Sequence, residues 1–404
     1  MALGKAPALK IGDRIEVTIE KVAHGGHFIA RHNGAVIFVR HAVEGEVCTI
    51  ELTSVGASFS RADVVSIHTP SKHRVNPPCS FSNSDGCGGC DFQHISEEHQ
   101  RTLKSQVISE QFARIAKMDL NVAVEKVGES THWRTRAVAT TNKDGKLGFY
   151  KSRSHTVAPV SDCMICVDTI RFAELSQKSL KPNTRVEVSA SNTGERTVAL
   201  ASIDGQQRAR VTEGPAILHE KILNKVLEVN HESFWQSHKD APEVLTKAVL
   251  EFAAFKAGEH VLDLYGGVGL FTAAILDAVG ESGHVELIEG SKSATSDAAR
   301  NFASAPNVKV ITGDVAQHLP RISTADVVVL DPPREGAGKE VVAQIAQLGP
   351  RSIIYVACDP AALARDTAYL AHHSFSLVKI RAFDLFPMTH HIECVALYAQ
   401  TDVS

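Results

Sequence analysis

Three groups of side chains in this 404-residue sequence have the types and spacing to do chemistry. The first is rich in thiols. Pro78-Cys79 is followed after seven residues by Cys87, and after two more by Cys90-Asp-Phe-Gln-His94, a spacing that reads as metal ligation. A fourth ligand must come from further along, with Cys163 and Cys166 as candidates. Four thiolates suit either zinc or a four-iron cluster. The second group surrounds a glycine-rich turn, Val261-Leu-Asp-Leu-Tyr-Gly-Gly-Val-Gly-Leu270, where backbone without side chains can approach a bound cofactor. Its spacing is not GxGxxG, which disfavours hydride chemistry. The next two apolar runs end in Glu289, placed to accept hydrogen bonds from ribose hydroxyls, and in Gly313-Asp314, whose carboxylate could hold an adenine amino group. Polar groups at three successive strand ends point to S-adenosylmethionine.

The third group lies further on. Asp331-Pro-Pro-Arg-Glu-Gly336 closes a fourth apolar run, and Arg334 stands where methyltransferases acting on amino nitrogens place an aromatic ring. The fifth run ends Tyr355-Val-Ala-Cys358-Asp-Pro360, and Pro360 opens a helix. A cysteine just before a helix N-terminus gains thiolate character, while the Asp359 carboxylate beside it acts in the opposite sense. A cysteine at a strand end is otherwise a small core residue, as Cys48 and Cys394 are expected to be.

These groups need elements to position them. Residues 8–67 alternate in five short runs, Ile15–Val22, Gly26–Ala30, Val36–Arg40, Val47–Leu52 and Asp63–Ile67, with a hairpin turn at Asn33-Gly34. A small β-barrel follows from that pattern. Ile95–Met118 has helical periodicity with Glu97 and Glu98 in its first turn, and residues 121–230 read as strands and turns. From about residue 231, helices alternate with the apolar runs His260–Leu264, His284–Ile288, Val308–Ile311, Asp326–Leu330 and Ser352–Ala357, the pattern of a parallel sheet. The expected architecture is a Rossmann-like α/β domain at 231–404, preceded by a barrel at 1–68 and a β-rich region with the cysteine loop at 69–230.

Charge divides along the same line. Residues 1–230 carry 29 Lys and Arg against 25 Asp and Glu; residues 231–404 carry 13 against 21. Within 131–160, cations including Arg134, Arg136, Lys151 and Arg153 interleave with Trp133, Phe149 and Tyr150, which suits phosphates and unstacked bases of RNA. No run of eighteen apolar residues occurs and the N-terminus MALGKAPALK lacks an apolar core, so a cytoplasmic protein is expected.

One more segment ties the groups together: Phe383-Asp-Leu-Phe-Pro-Met-Thr-His-His-Ile-Glu393. The combination of DPPREG, YVACDP and DLFPMTHHIE resembles the RNA uracil-5-methyltransferase family, and residues 8–67 resemble its TRAM barrel, an RNA-binding module. The resemblance implies a nucleophile at Cys358 and a base at Glu393. It places Gln236, Tyr265, Glu289, Asp314 and Asp331 around the cofactor and reaction site. It further implies a [4Fe-4S] cluster rather than zinc, with Cys163 joining Cys79, Cys87 and Cys90. The substrate implied is a uridine of tRNA or rRNA. The sequence departs from the family at Ala357 and Asp359, where Ser and Asn are usual, and at Ala362, Met388, Gly266 and Leu270. Those departures leave two rivals, a catalytically silent RNA-binding protein and a methyltransferase of the same fold acting on another substrate.

Overall fold

A computed structural model describes residues 9–204 and 208–401; residues 1–8, which bear on the expectation for the N-terminus, lie outside the described residues. The alternating N-terminal runs form a closed five-stranded barrel in the order Arg14–Val22, Phe28–His32, Ala35–Arg40, Ser60–Thr69 and Val47–Val55. Its inward positions, among them Val17, Ile19, Phe28, Ile37 and Cys48, are buried. Asn33 and Gly34 both take positive φ, as the two-residue turn requires.

The expected amphipathic helix is α-helical over Glu97–Gln111 and then widens into a π-helical turn, Phe112–Ala116, which ends at left-handed Lys117. Phe112 is fully buried and Ile115 packs beside it in the core shared with Leu363 and Ala364 of helix Pro360–Ala371. A six-stranded antiparallel sheet follows, ordered Arg210–Glu213, Arg196–Ser202, Thr184–Ala190, Arg136–Thr141, Leu147–Tyr150 and Val157–Pro159. A ribbon of Ile217–Ile222 and Lys225–Asn230 leads from it.

The C-terminal part is the expected Rossmann-like fold. Its strand order is Val308–Thr312, His284–Glu289, His260–Leu264, Val327–Leu330, Ser352–Ala357, Glu393–Gln400, Phe375–Asp384 and Val124–Lys126. The first five are mutually parallel, and the inner ones, His260–Leu264, Val327–Leu330 and Ser352–Ala357, are buried almost throughout, whereas the edge strand Val308–Thr312 exposes Lys309 and Thr312. Glu393–Gln400 returns antiparallel beside Ser352–Ala357. The edge strand Val124–Lys126 comes from ahead of the central sheet and pairs parallel with Phe375–Asp384. Among the described residues, no helix is long and apolar enough to cross a membrane.

Candidate active site

The C-terminal rim of the parallel strands holds a recess lined by Phe234, Gln236, Tyr265, Gly266, Gly267 and Asp331, among others. Tyr265 and Gly267 both adopt left-handed backbone, which bends the chain sharply out of strand His260–Leu264. At Gly269, φ is +95° and a Cβ would stand 2.2 Å from the Phe302 ring, so only glycine lets the helix Leu270–Val279 start there. Asp263, which the sequence reading passed over, is fully buried and accepts from the Thr272 amide at 3.0 Å and its hydroxyl at 2.6 Å, pinning that helix to the strand. Burial pushes its carboxyl up to about 6. Gln236 Nε2 donates to Asp331 Oδ2 at 3.3 Å.

Glu289 and Asp314 sit at neighbouring strand ends rather than in the lining of that recess. Glu289 accepts from Gly267 N at 3.1 Å and from Ser291 N at 2.6 Å. Asp314 caps the short helix Val315–His318 through Gln317 N at 3.2 Å. Both are joined to the recess electrostatically or by backbone. Burial, and then the Asp314 charge, push the Tyr265 hydroxyl up to about 12. Glu289 braces the glycine turn directly.

Cys358 and Glu393 meet because the sheet is mixed. The antiparallel ladder pairs Ala357 with Cys394, so the next step sets Cys358 across from Glu393. A second recess surrounds Cys358, lined by His24, Gly26, Phe92, Lys104, Arg334, Asp359, His390 and His391 together with apolar neighbours. The thiol is pushed up to about 12, first by burial and then by the carboxylates of Glu393 and Asp331, while the Arg334 guanidinium acts to lower it. Glu393 is buried, and its carboxyl is held well above the usual carboxylate range by burial and by Asp331. Asp331 in turn rises to about 7, through burial first and the Asp263 charge second. A buried pair of carboxyls beside a thiol binds protons readily and can pass one on. His391 is pushed down to about 3 by burial and by neighbouring His390 and Arg334, which disfavours it as a proton acceptor.

The segment between Asp384 and Glu393 is held by residues nearly 300 positions away. Lys104, 1% exposed, donates to Asp384 Oδ1 at 2.6 Å and to Phe386 O at 3.0 Å. Gln100 Oε1 accepts from Met388 N at 2.9 Å, and Phe92 N donates to Met388 O at 3.0 Å. His390 Nδ1 lies 2.6 Å from Asp91 Oδ2. Met388 is in left-handed backbone, and besides its amide and carbonyl its Sδ accepts from Gln100 Nε2 at 3.4 Å. None of Asp91, Gln100 or Lys104 is marked by a local motif.

Cys79, Cys87, Cys90 and Cys163 line one recess with Phe81, Phe149, Val160 and Ile165. Cys166 lies outside that lining and is buried beside Cys163. Gly89 N donates to Cys87 Sγ at 3.4 Å, and Gln93 Oε1 accepts from Cys79 N at 3.1 Å. All eight cysteines are free. Cys48 and Cys394 are buried, as expected of core residues.

The cations of 131–160 do not form one exposed face, which corrects the sequence reading. Arg136 is largely buried and faces Glu220 at 3.8 Å, and its guanidinium is pushed down to about 10 by burial. Trp133 is fully buried against His238 and Phe386. Phe149 stacks on Phe172. Arg136 and Phe149 lie on the strands Arg136–Thr141 and Leu147–Tyr150 and Trp133 just ahead of them, and one sequence carries no cue to which side of these segments is covered. Arg153 does point outward, and the charges of Arg61 and Arg40 from the barrel reach it. The exposed Phe59 ring carries Arg61 at 4.7 Å, so cations and an aromatic gather at the barrel rather than in the central sheet.

The chain is similar to known proteins over nearly its whole length. Residues 318–401 match the tRNA (uracil-5-)-methyltransferase family, residues 8–65 the TRAM domain, and residues 237–351 the methyltransferase small domain. A protein of Streptomyces avermitilis described as an uncharacterised RNA methyltransferase is 40% identical, over 96% of this chain and 98% of its own. One of Streptomyces coelicolor with the same description is 38% identical, over 97% and 94%. The crystal structure of Pyrococcus abyssi tRNA (uracil-54, C5)-methyltransferase in complex with S-adenosyl-L-homocysteine shares the fold. Its TM-score is 0.73 at 18% identity, covering 95% of this chain and 99% of that one.

Proposed function

Because this chain belongs to the RNA uracil-5-methyltransferase family and is an RNA methyltransferase of that type, we propose that it methylates carbon 5 of a uridine in tRNA or rRNA through a covalent adduct at Cys358. The observation that carries the proposal is the ladder register that sets Cys358 opposite Glu393, with Asp331 beside both. Gln236, Tyr265 and Asp331 line the recess that would hold S-adenosylmethionine, which would supply an electrophilic methyl group. Glu289 and Asp314, at the neighbouring strand ends, would hold its ribose and adenine ends, and Glu289 also braces the glycine turn.

Carbon 5 of uracil is a poor nucleophile until something adds at carbon 6. Cys358 gives up its proton to the neighbouring carboxylate pair, and its sulfur bonds to carbon 6. The displaced π electrons make carbon 5 an enolate carbon, which takes the methyl group. Once the first proton has passed on to solvent, the ionised Glu393 removes the carbon-5 proton, the electron pair left behind re-forms the ring double bond, and the sulfur–carbon bond breaks to release the thiolate. Arg334 favours the thiolate at both ends of this cycle. The target base must leave its stack to reach the recess. Arg40, Arg61 and Arg153, with Phe59, form the surface on which the RNA backbone lies.

Labelled methyl from the cofactor is expected in RNA, as 5-methyluridine. Glu393→Gln should accumulate a protein–RNA species on denaturing gels, because elimination needs the carbon-5 proton removed. Cys358→Ala should give neither product nor adduct. Normal turnover by Glu393→Gln, or an adduct in Cys358→Ala, would move the roles elsewhere.

The four-cysteine recess fits an iron–sulfur cluster. Its four thiols are the donor set such a cluster takes, and Phe81, Phe149, Val160 and Ile165 stand around them together with Ser82, Gln93 and Asp162. Such a group would fasten the loop 79–94 to the central sheet through Cys163. Anaerobically prepared protein should be brown and contain iron and sulfide. Cys163→Ala should lose both and Cys166→Ala should keep them; the reverse pattern would reassign the ligand.

A further inference from the structure

The turn between the barrel's first two strands reaches into the recess around Cys358. His24 Nε2 stands 3.0 Å from Asp359 Oδ2. The other oxygen of Asp359 accepts from the amides of Ala361 and Ala362, each at 2.9 Å, and so caps helix Pro360–Ala371. One carboxylate therefore joins the barrel, the first turn of a helix and the residue next to the candidate nucleophile. Two positions further, Gly26 has φ +79° and packs so tightly that a Cβ would lie 2.8 Å from His390 Cβ. His390 belongs to the segment that leads into Glu393. The same barrel turn thus bears on both chain segments that bring Cys358 and Glu393 together.

We infer that His24 is a positioning residue for the methyl transfer: its hydrogen bond to Asp359 locks the capped helix start and holds Cys358 in register with Glu393. The barrel is then a brace of the catalytic centre as well as an RNA-binding module. This rests on the reading of Cys358 as nucleophile. Asp359 stands where the family usually carries Asn, and a carboxylate there opposes the thiolate. The imidazole hydrogen bond, together with the two helix amides, keeps the Asp359 carboxyl below its ordinary range despite burial.

The test uses the full holoenzyme with His24→Ala, His24→Gln, Asp359→Asn and the double variant His24→Ala/Asp359→Asn. His24→Ala should lower kcat on the order of tenfold, the scale of one coupled contact, with KM for S-adenosylmethionine unchanged. His24→Gln, whose amide can still donate, should recover most of the loss. In the Asp359→Asn background the His24→Ala effect should shrink, because the coupled partner is gone. Hydrogen exchange should rise in His24→Ala over residues 358–363 and stay unchanged over barrel strands 14–69. Wild-type kcat and exchange in His24→Ala, additive effects in the double variant, or faster exchange throughout the barrel would each overturn the inference. Cys358→Ala keeps the two readings apart. Should that variant methylate RNA normally, the nucleophile assignment fails, while the exchange at 358–363 still reports on the His24 contact by itself.

Discussion

The residues lining the cofactor recess all fall between 234 and 331, whereas those around Cys358 come from 22–26, 92–107, 334, 358–360 and 390–392. The first recess is a product of successive strand–turn–helix units, each placing its own polar residue at the sheet rim. The second is assembled across the whole chain: a barrel turn, the cysteine loop, the helix Glu97–Gln111 and the return strand all meet there. Local geometry therefore suffices to form the proposed cofactor site, while the proposed catalytic pair depends on long-range docking. The asymmetry suits an enzyme whose substrate is larger than its cofactor, since the elements that close around Cys358 are those nearest the RNA-binding barrel.

The sharpest way to break that comparison is at Lys104. Its ammonium is buried with Asp384 and fastens the segment before Glu393. Lys104→Met would leave the Asp384 carboxylate buried without a partner, which should cost about 3–5 kcal/mol of stability. Denaturant unfolding should show the loss, and methyl transfer should fall with it. Lys104→Met/Asp384→Leu should recover much of the stability, because a buried ion pair replaced by apolar side chains of similar volume is often neutral. Loss in the single variant confined to RNA binding, with normal stability, would show that the catalytic segment stands without this anchor.

The same division explains what the sequence disclosed. The five parallel strands, the glycine turn and the barrel were legible because each follows from periodicity over a few residues. Cys358 drew attention locally, as a cysteine ahead of a helix N-terminus, but the roles proposed for it and for Glu393 came only through resemblance. Nothing local marks Glu393 as the residue opposite Cys358, since their pairing depends on an antiparallel return strand. His24, Asp91, Gln100 and Lys104 gave no signal because their partners lie far away in sequence. Arg136 and Trp133 misled for a related reason: composition reports a cation and a ring, but not which face of a strand is covered. Arg40, Arg61 and Phe59 went unnoticed because a closed barrel, not a run of residues, gathers them.

Asp331 sits on the seam between the two recesses, so its titration tests whether they are coupled. Its carboxyl is raised to about 7 by burial and by Asp263, and Glu393 beside it is raised as well. A folded-state value above the ordinary one means the native protein prefers the protonated form. That contribution to stability is complete below the ordinary carboxylate range near about 4 and is lost as pH rises through about 7. Activity should run the other way, because proton removal needs an ionised carboxylate. Between pH 5 and 8, Tm should therefore fall while kcat/KM climbs. Asp331→Asn should flatten the Tm trend over this range, and an unaltered trend would assign the titration to another group.

The smallest expected effect concerns RNA affinity, where buried and exposed arginines give opposite forecasts. Arg153 is exposed and lies within reach of the charges of Arg40 and Arg61, and burial together with those like charges lowers its proton affinity. Three cations held close invite phosphate. Each phosphate neutralised releases counterions, so log K falls with log salt by about 0.9 per contact for duplex and about 0.7 for single strands. Replacing all three by Ala should reduce that slope by roughly 2–3, with a modest loss of affinity at high salt where the electrostatic contribution is already weak. Arg136→Ala, by contrast, removes a guanidinium that faces buried Glu220 and no solvent phosphate. It should lower stability and leave the slope where it was. A flattened slope in Arg136→Ala, or an unchanged one in the triple variant, would return RNA contact to the central sheet and away from the barrel.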